Sequence, residues 1–310
     1  RFEALTAPPT LPARRNAALR GVVDWSWSIL TEWEQAALAQ CAVFCGGFYL
    51  PQAEQVIDLS DHPDAPSTPE VLRTLRDRSL VRVGAAPEQR SEPRFSVYPV
   101  IVEYAEEQLN AQGNASATRR RHAETYVELG EALVEQTGSV DRRQGFDRLA
   151  VELDNLLAVW RRFGESDPAF AARAARCMVR VLQVRGPLLL LRNLLEQDPE
   201  NTAWRGQLDG VSTTLRLARA DLLRIDGKIA ECTAELKALE AGAEKAKDRR
   251  LLGEALSRLG LCARVEGQRD EAADLLTQAL DHMEAAGGPV EQARVINNLA
   301  VLHIELGRSV

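Results

Sequence analysis

Leu217-x-x-Ala220-x-x-Leu223-x-x-x-Gly227, Ser257-x-x-Gly260-x-x-Ala263-x-x-x-Gly267 and Asn297-x-x-Ala300-x-x-His303-x-x-x-Gly307 set down one pattern three times, 40 residues apart at each step. A small residue at 220, 260 and 300 lets a neighbouring helix come close. The glycine seven positions later stands where a first helix must turn into a second, because glycine alone adopts positive φ at little cost. Gly267-x-x-x-x-Ala272, followed by Leu276 and Ala279, supplies the apolar spacing of that second helix. The C-terminal third therefore predicts stacked helical hairpins.

The separation of seven between small residue and turn glycine matches the tetratricopeptide (TPR) pattern, whose usual period is about 34 residues. An extra turn or a longer loop per unit accounts for the longer period here, and HEAT-type repeats of about 40 residues are the competing assignment. Stacked repeats expose a concave face formed by their first helices, where a protein or peptide partner binds. Counting from the small residue places Thr214, Leu217, Asp221 and Arg224, then Glu254, Ser257, Leu261 and Arg264, then Arg294, Asn297, Val301 and Ile304 on that face. Asp221, Arg224, Glu254, Arg264, Arg294 and Asn297 are the polar candidates for partner contact.

Upstream, the chain from Ser116 reads as helix throughout: Ser116–Gln136, Arg142–Phe163, Pro168–Val184 and Pro187–Gln197. The first third differs. Leu19, Val22, Val23, Trp25, Ile29 and Leu30 form an apolar stripe over Ala17–Leu30. Thr31-x-x-Glu34 is a capping box opening a helix to about Phe44, closed by Gly46-Gly47. A short helix over Pro51–Leu59, a loop over Ser60–Ser67 and a helix over Pro69–Ser79, with Thr68 as N-cap, come next. The period then drops to two in Leu80–Val83 and Arg94–Val97, a hairpin around a loop from Gly84 to Pro93, before Val100–Leu109 returns to helix. Helices, a hairpin and another helix outline a winged helix-turn-helix. The expected architecture is mostly α, with a linker over 1–14, a winged-helix domain over 15–113, a helical connector or degenerate repeats over 114–205, and TPR-like repeats over 206–310.

Composition bounds the function. The 310 residues carry 38 Lys and Arg against 45 Asp and Glu, a formal charge of −7, with 45% hydrophobic but only 5% aromatic residues. No signal peptide or apolar run long enough for a membrane span occurs, which points to a cytoplasmic protein. Five Cys without a C-x-x-C pair and four scattered His argue against a disulfide framework or a metal site. Cys41 and Cys45 lie one helical turn apart among apolar neighbours and read as buried free thiols. The start at Arg1 without Met and the end at Val310 inside a repeat lead us to expect a piece of a longer protein.

Motifs of catalysis are absent. Gly227-Lys228 is followed by Ile229 and does not make a phosphate loop, and H-E-x-x-H and G-x-S-x-G do not occur. The expectation is no enzyme in this piece, with no catalytic residue, metal or cofactor. Arg73, Arg76 and Arg78 fall on the third helix of the winged domain, the element that enters DNA in that fold. Residues 1–115 nevertheless hold 10 Lys and Arg against 15 Asp and Glu, a charge of −5 that argues against a DNA face. Arg119-Arg120-Arg121-His122 reads as a carboxylate-paired face. Asn114-Ala115-Ser116 fits a glycosylation acceptor, which has no meaning in the cytoplasm.

The run Leu19 to Leu30 with Asp24-Trp25-Ser26-Trp27-Ser28, the run Trp33 to Phe44, and Gly46-Gly47-Phe48 resemble the segment that follows the nucleotide-binding core in bacterial STAND-type signal-transduction ATPases. Arg78-Ser79-Leu80-Val81, Arg94-Phe95-Ser96-Val97-Tyr98, Glu103-Tyr104-Ala105, Arg121-His122 and Glu152-Leu153-Asp154-Asn155-Leu156 continue the resemblance in the same order. It implies a winged helix that closes over an upstream ATPase core and repeats that sense a partner. ATP or ADP with Mg belong to that missing core, and a kinase, cyclase or transcription-factor module often supplies the output. It also implies contact between this region and the core, and assembly into an oligomer on activation. Related switches carry a Met-His-Asp motif whose histidine approaches ADP. Aligned on Glu103-Tyr104-Ala105, those positions are Val97, Tyr98 and Pro99, so the histidine is missing and Tyr98 is the remaining candidate for contact with a nucleotide domain. Two alternatives stand beside this reading: a winged-helix DNA-binding transcriptional regulator with a TPR regulatory domain, and a pure TPR interaction scaffold.

Overall fold

A computed structural model describes residues 11–85, 92–136, 142–196, 209–286 and 289–307. Among these are fifteen helices and one two-stranded antiparallel sheet. The expected mostly α architecture, with a small hairpin followed by stacked helices, is what the chain forms. It divides into two compact units, Arg1–Leu129 and Gly130–Val310, with the division falling inside the helix Ala115–Gln136.

In the first unit α1 spans Leu11–Ser28, α2 Glu32–Cys41, α3 Leu50–Val56 and α4 Thr68–Asp77. Strands β1 (Val81–Ala85) and β2 (Pro93–Val97) follow, then α5 (Pro99–Ala111) and the start of α6 (Ala115–Gln136). The stripe expected on α1 turns only partly inward. Val23 and Leu30 are buried and Trp27 meets the Tyr104 ring edge-on at 5.4 Å, whereas Val22, Trp25 and Ile29 are exposed. Two overlapping apolar stripes were present on this helix, and the one at 23, 27 and 30 wins; the side chain of Leu19 lies outside the described residues.

The Thr31 capping box forms: the Glu34 N–H donates to the Thr31 hydroxyl, and the Glu34 carboxylate accepts from the Thr31 N–H at 2.9 Å. Helix α2 ends at Cys41, three residues before the expected Phe44, because the N–H groups of Ala42, Val43 and Phe44 each turn back to the carbonyl three residues earlier. Gly46-Gly47 does a different job from capping. A Cβ on Gly47 would stand 2.7 Å from the Phe95 carbonyl oxygen, and φ there is +102°. The pair lets Phe48 exchange both backbone hydrogen bonds with Phe95, at 2.9 and 2.8 Å, beside the β1–β2 hairpin. At α4 the cap is Ser67 rather than Thr68: the Glu70 carboxylate accepts from both the N–H and the hydroxyl of Ser67. The strands run longer than expected, pairing Val81 with Val97 and extending to Ala85 opposite Pro93.

Buried Phe44, Phe48, Tyr49 and Tyr126 dominate this unit, with Phe44 stacked on Phe48 at 4.1 Å and Phe48 on Phe95 at 5.7 Å. Polar clips tie the chain across long distances. Gln40 accepts from the Asp58 N–H and donates to its carbonyl, while the Arg121 guanidinium donates to the Val56 carbonyl and to Gln40, each at 2.9 Å. Arg94 donates to the carbonyls of Gly46 and Gly47 and lies 4.8 Å from the Tyr49 ring centre.

The second unit contains the end of α6, then α7 (Arg142–Val151), α8 (Leu153–Phe163), α9 (Pro168–Arg185) and α10 (Leu188–Glu196). The single helix expected over Arg142–Phe163 is broken at Glu152, whose φ of −91° and ψ of 6° leave the helical region. Gly130 admits Cys177 of α9, which would be 3.0 Å from an added Cβ, and Arg173 and Arg176 both bind Glu131. The repeats are α11 (Gly210–Ile225), α12 (Ile229–Ala246), α13 (Arg249–Val265), α14 (Arg269–Ala286) and α15 (Pro289–Glu305). Each packs on the next, and α11 also packs on α9.

The long period is explained by the helices. They have 16 to 18 residues, while the turns stay short, so each unit gains helical turns and no longer loop. Gly227, Gly267 and Gly307 all adopt positive φ, as the repeated pattern requires. Ala220 is fully buried, and at Gly260 an added Cβ would stand 2.9 Å from Leu276 Cγ and 3.2 Å from the Ala272 carbonyl. Leu217, Leu223, Cys232, Leu236, Leu239, Leu251 and Leu259 fill the first inter-helix core, and Leu256, Leu276, Val295 and Leu302 the second. Cys232 and Cys262 bring their sulfurs to 3.3 Å, sharing a thiol hydrogen bond and no disulfide.

Candidate functional site

The first helix of each pair faces the same hollow. A groove of about 910 Å³ is lined by residues of α9, α11, α13 and α15, with α10 and the end of α6 adding to its wall. Heptad-like spacing puts Thr214, Leu217, Asp221 and Arg224 of α11, Glu254, Ser257 and Leu261 of α13, and Arg294 of α15 on this lining. Four of the six polar candidates are thus brought together: Asp221, Arg224, Glu254 and Arg294. Arg264 and Asn297 lie outside the lining; Arg264 reaches Glu305 at 3.9 Å, and Asn298 lines the groove one position on from Asn297. Leu217 and Ser257, expected to be exposed, are buried at 6% and 1%, so they form its floor. Val301 and Ile304 are exposed but outside the lining.

An arginine that the spacing argument passed over organises the floor. Arg258 is only 8% exposed and donates to Asp221 on the neighbouring helix at 3.2 Å and to Glu254 at 3.3 Å. Burial works against its charge, and the two carboxylates outweigh it, leaving the guanidinium firmly protonated. Its signal in the sequence was the Glu254–Arg258 spacing of four, a common helix-surface pair that here is carried inward. Gln183 of α9 also donates to Asp221 at 3.3 Å, and Arg250 bridges Glu254 and Glu291 of α15. The site is therefore a network that spans four helices. Arg294 sits beside it with its affinity for the proton reduced, first by desolvation and then by the Arg258 charge, against the opposing pull of Glu254, Asp221 and Glu291.

The other candidates are placed apart from the groove. Tyr98 caps α5 without a side-chain hydrogen bond, is 39% exposed, and carries the Arg82 guanidinium 5.6 Å from its ring centre. Of the arginines on α4 and at its C-terminal cap, Arg76 is paired with Asp77 at 2.7 Å, Arg78 donates to the Ile29 carbonyl at 2.8 Å, and Arg73 is exposed. The basic run is engaged throughout: Arg119 with Glu106, Arg120 with Glu124, Arg121 with Val56 and Gln40, and His122 buried against Phe44 and Tyr126. Burial pushes the thiols of Cys41 and Cys177 up to about 12. Among the described residues no helix is long and apolar enough to cross a membrane.

No family model matches the chain. Proteins of Mycobacterium bovis and Mycobacterium tuberculosis, provisionally named HTH-type transcriptional regulators, are 33% identical to it over 147 residues, 47% of this chain. The match covers 16% of the length of those regulators. Among solved structures, a signal transduction ATPase with numerous domains (STAND) carrying a tetratricopeptide repeat sensor, from Pyrococcus horikoshii, is similar at 15% identity and a TM-score of 0.43. That similarity covers 98% of this chain and 45% of the other.

Proposed function

We propose that this chain is the regulatory and partner-sensing region of a STAND-type signalling ATPase. The observation that carries the reading is the groove on the first helices of the repeats, where an arginine–carboxylate network lines a hollow large enough for an extended peptide. On this reading a cytoplasmic protein or peptide partner settles in the groove. The first unit, read as a winged helix, transmits the event to a nucleotide-binding core outside this chain, shifting an equilibrium by differential affinity. ATP, ADP and Mg belong to that core, and an oligomer forms on activation. The chain itself is no enzyme. Purified alone it is expected to show no ATP hydrolysis above buffer and no saturable ATP binding; turnover that survives repurification would overturn the assignment.

A second reading, a DNA-binding transcriptional regulator, is favoured by the names of the mycobacterial relatives. It requires the third helix of the winged domain to present cations, yet Arg76 and Arg78 are committed to Asp77 and to the Ile29 carbonyl. Titration with duplex DNA at low salt separates the two: the regulator reading needs binding that falls steeply with salt and weakens on Arg73→Gln, whereas the sensor reading expects a flat curve.

A further inference from the structure

The inference rests on reading the groove as a peptide-binding face and goes on to the chemistry of the peptide. Four of the lining carboxylates are already engaged. Asp221 and Glu254 hold Arg258, Glu291 holds Arg250 at 3.1 Å, and Asp248 caps α13 by accepting from the Leu251 N–H at 3.0 Å. Three lining guanidiniums remain without a carboxylate: Arg180 of α9, Arg224 of α11 and Arg294 of α15. Glu135 is the one lining carboxylate with neither an ion pair nor a helix cap to hold it, so cations are in excess among the unmatched groups.

Arg224 adds a second observation. Its Nε is shielded from water and has no acceptor within hydrogen-bond distance. A desolvated donor without a partner is costly, and the cost is removed when an acceptor arrives. A carboxylate suits this need, since guanidinium and carboxylate match in two parallel hydrogen bonds. A continuous phosphate backbone suits it less well. It would run its charge past Asp221, Glu254 and Glu291, whereas a peptide can set isolated carboxylates opposite the three arginines and lay apolar side chains on Leu217 and Leu261 between them.

We infer that the groove takes an acidic peptide segment in which Asp or Glu side chains alternate with apolar ones, with Arg180, Arg224 and Arg294 receiving the carboxylates. The test is fluorescence anisotropy on the full chain with short labelled peptides of alternating Asp and Leu, the same peptide with Asn for Asp, the same with Lys, and a single-stranded oligonucleotide of equal length. The acidic peptide is expected to bind roughly tenfold or more tighter than the amide version, and Arg224→Gln and Arg294→Gln should each cost about tenfold. Arg264→Gln, outside the lining, should cost nothing. Circular dichroism melts of the variants guard against misfolding, and Arg294→Lys, which keeps the charge, should recover part of the loss. Equal binding of acidic and amide peptides, indifference to the two arginine substitutions, or preference for the oligonucleotide would overturn the inference. Amide or Lys peptide binding that is abolished by Asn298→Trp, a bulk placed on the lining, would overturn the acidic class and leave the peptide groove standing. Absence of binding by every peptide would overturn both.

Discussion

The first unit and the repeats solve the same packing problem with different residues. Every Phe, Tyr and Trp of the chain falls at or before Trp204, so α11–α15 contain no aromatic residue at all. The head fills its core with a few large rings, stacked Phe44, Phe48 and Phe95 among them, and closes it with contacts between residues far apart in sequence. The repeats use Leu, Ala, Gly and Cys, so that helix axes approach closely and each helix answers mainly to its neighbours. The first arrangement concentrates stability in single side chains. The second spreads it over a repeated seam and leaves the inner face free to carry charge.

The largest expected effect comes from breaking the first arrangement. Phe48 is fully buried, stacked on two rings, and bridged through its backbone to Phe95. Phe48→Ala should cost about 3–5 kcal/mol, seen in a denaturant titration as an early transition. Hydrogen exchange should localise the loss to the first unit and leave α13 and α14 protected. Loss of protection in the repeats as well would mean the two units share one cooperative core.

Gly260→Val attacks the seam instead. The Cβ position is 2.9 Å from Leu276 Cγ and 3.2 Å from the Ala272 carbonyl, and backbone cannot move aside cheaply. A cost of roughly 1–3 kcal/mol is expected, read from the denaturation midpoint, with α13 and α14 losing exchange protection first. An unchanged midpoint would show that the forty-residue pattern marks something other than helix approach.

The contrast also explains what could be read from the chain alone. A seam made of neighbours repeats its chemistry at fixed spacing, so Ala220, Gly260 and the glycines at 227, 267 and 307 announced themselves. Capping is equally local, and Thr31 with Glu34 was legible for that reason. The head hides its determinants because they are partners of opportunity. Nothing in the spacing of Arg94 says that it will hold the carbonyls of Gly46 and Gly47, nor that Arg121 will reach Val56. The α1 stripe was misread for a related cause: periodicity offered two faces, and only the Tyr104 ring against Trp27 chose between them. In the groove the spacing located the face but not its charge balance, since that depends on which arginines find carboxylates across helices.

Polar contacts sharpen the comparison further. In the head, the Arg20–Glu107 pair lies in solvent and should contribute little. In the second unit, Glu131 is gripped by Arg173 and Arg176, and the hydrogen bond from Arg173 holds its carboxyl below the ordinary value of 4.5. A carboxylate with a depressed folded pKa stabilises the fold above its unfolded pKa, and that contribution is lost as pH falls through the folded value. Glu131→Gln should therefore lower stability by roughly 1–2 kcal/mol at neutral pH. The gap between wild type and variant in thermal melts should close as the buffer is taken well below pH 4.5. A gap that persists in acid would assign the loss to packing and not to charge.

The smallest effect tests the turns that join one repeat to the next. Within a helical hairpin the chain reverses at glycine, but between α12 and α13 it reverses at Lys247, with φ +56° and ψ +31°. A residue with a Cβ pays for that left-handed conformation, by about 1–2 kcal/mol, partly offset in the comparison because glycine loses more freedom on folding. Lys247→Gly should thus raise stability by about 0.5–1 kcal/mol, measurable as a later denaturation midpoint with unchanged slope. The reverse exchange, Gly267→Lys, should lower it by a similar amount, since φ there is +83° and open space surrounds the position. If both substitutions destabilise, the lysine side chain itself supports the α12–α13 junction, and the turns between repeats would be held by contacts where those within repeats are held by backbone freedom.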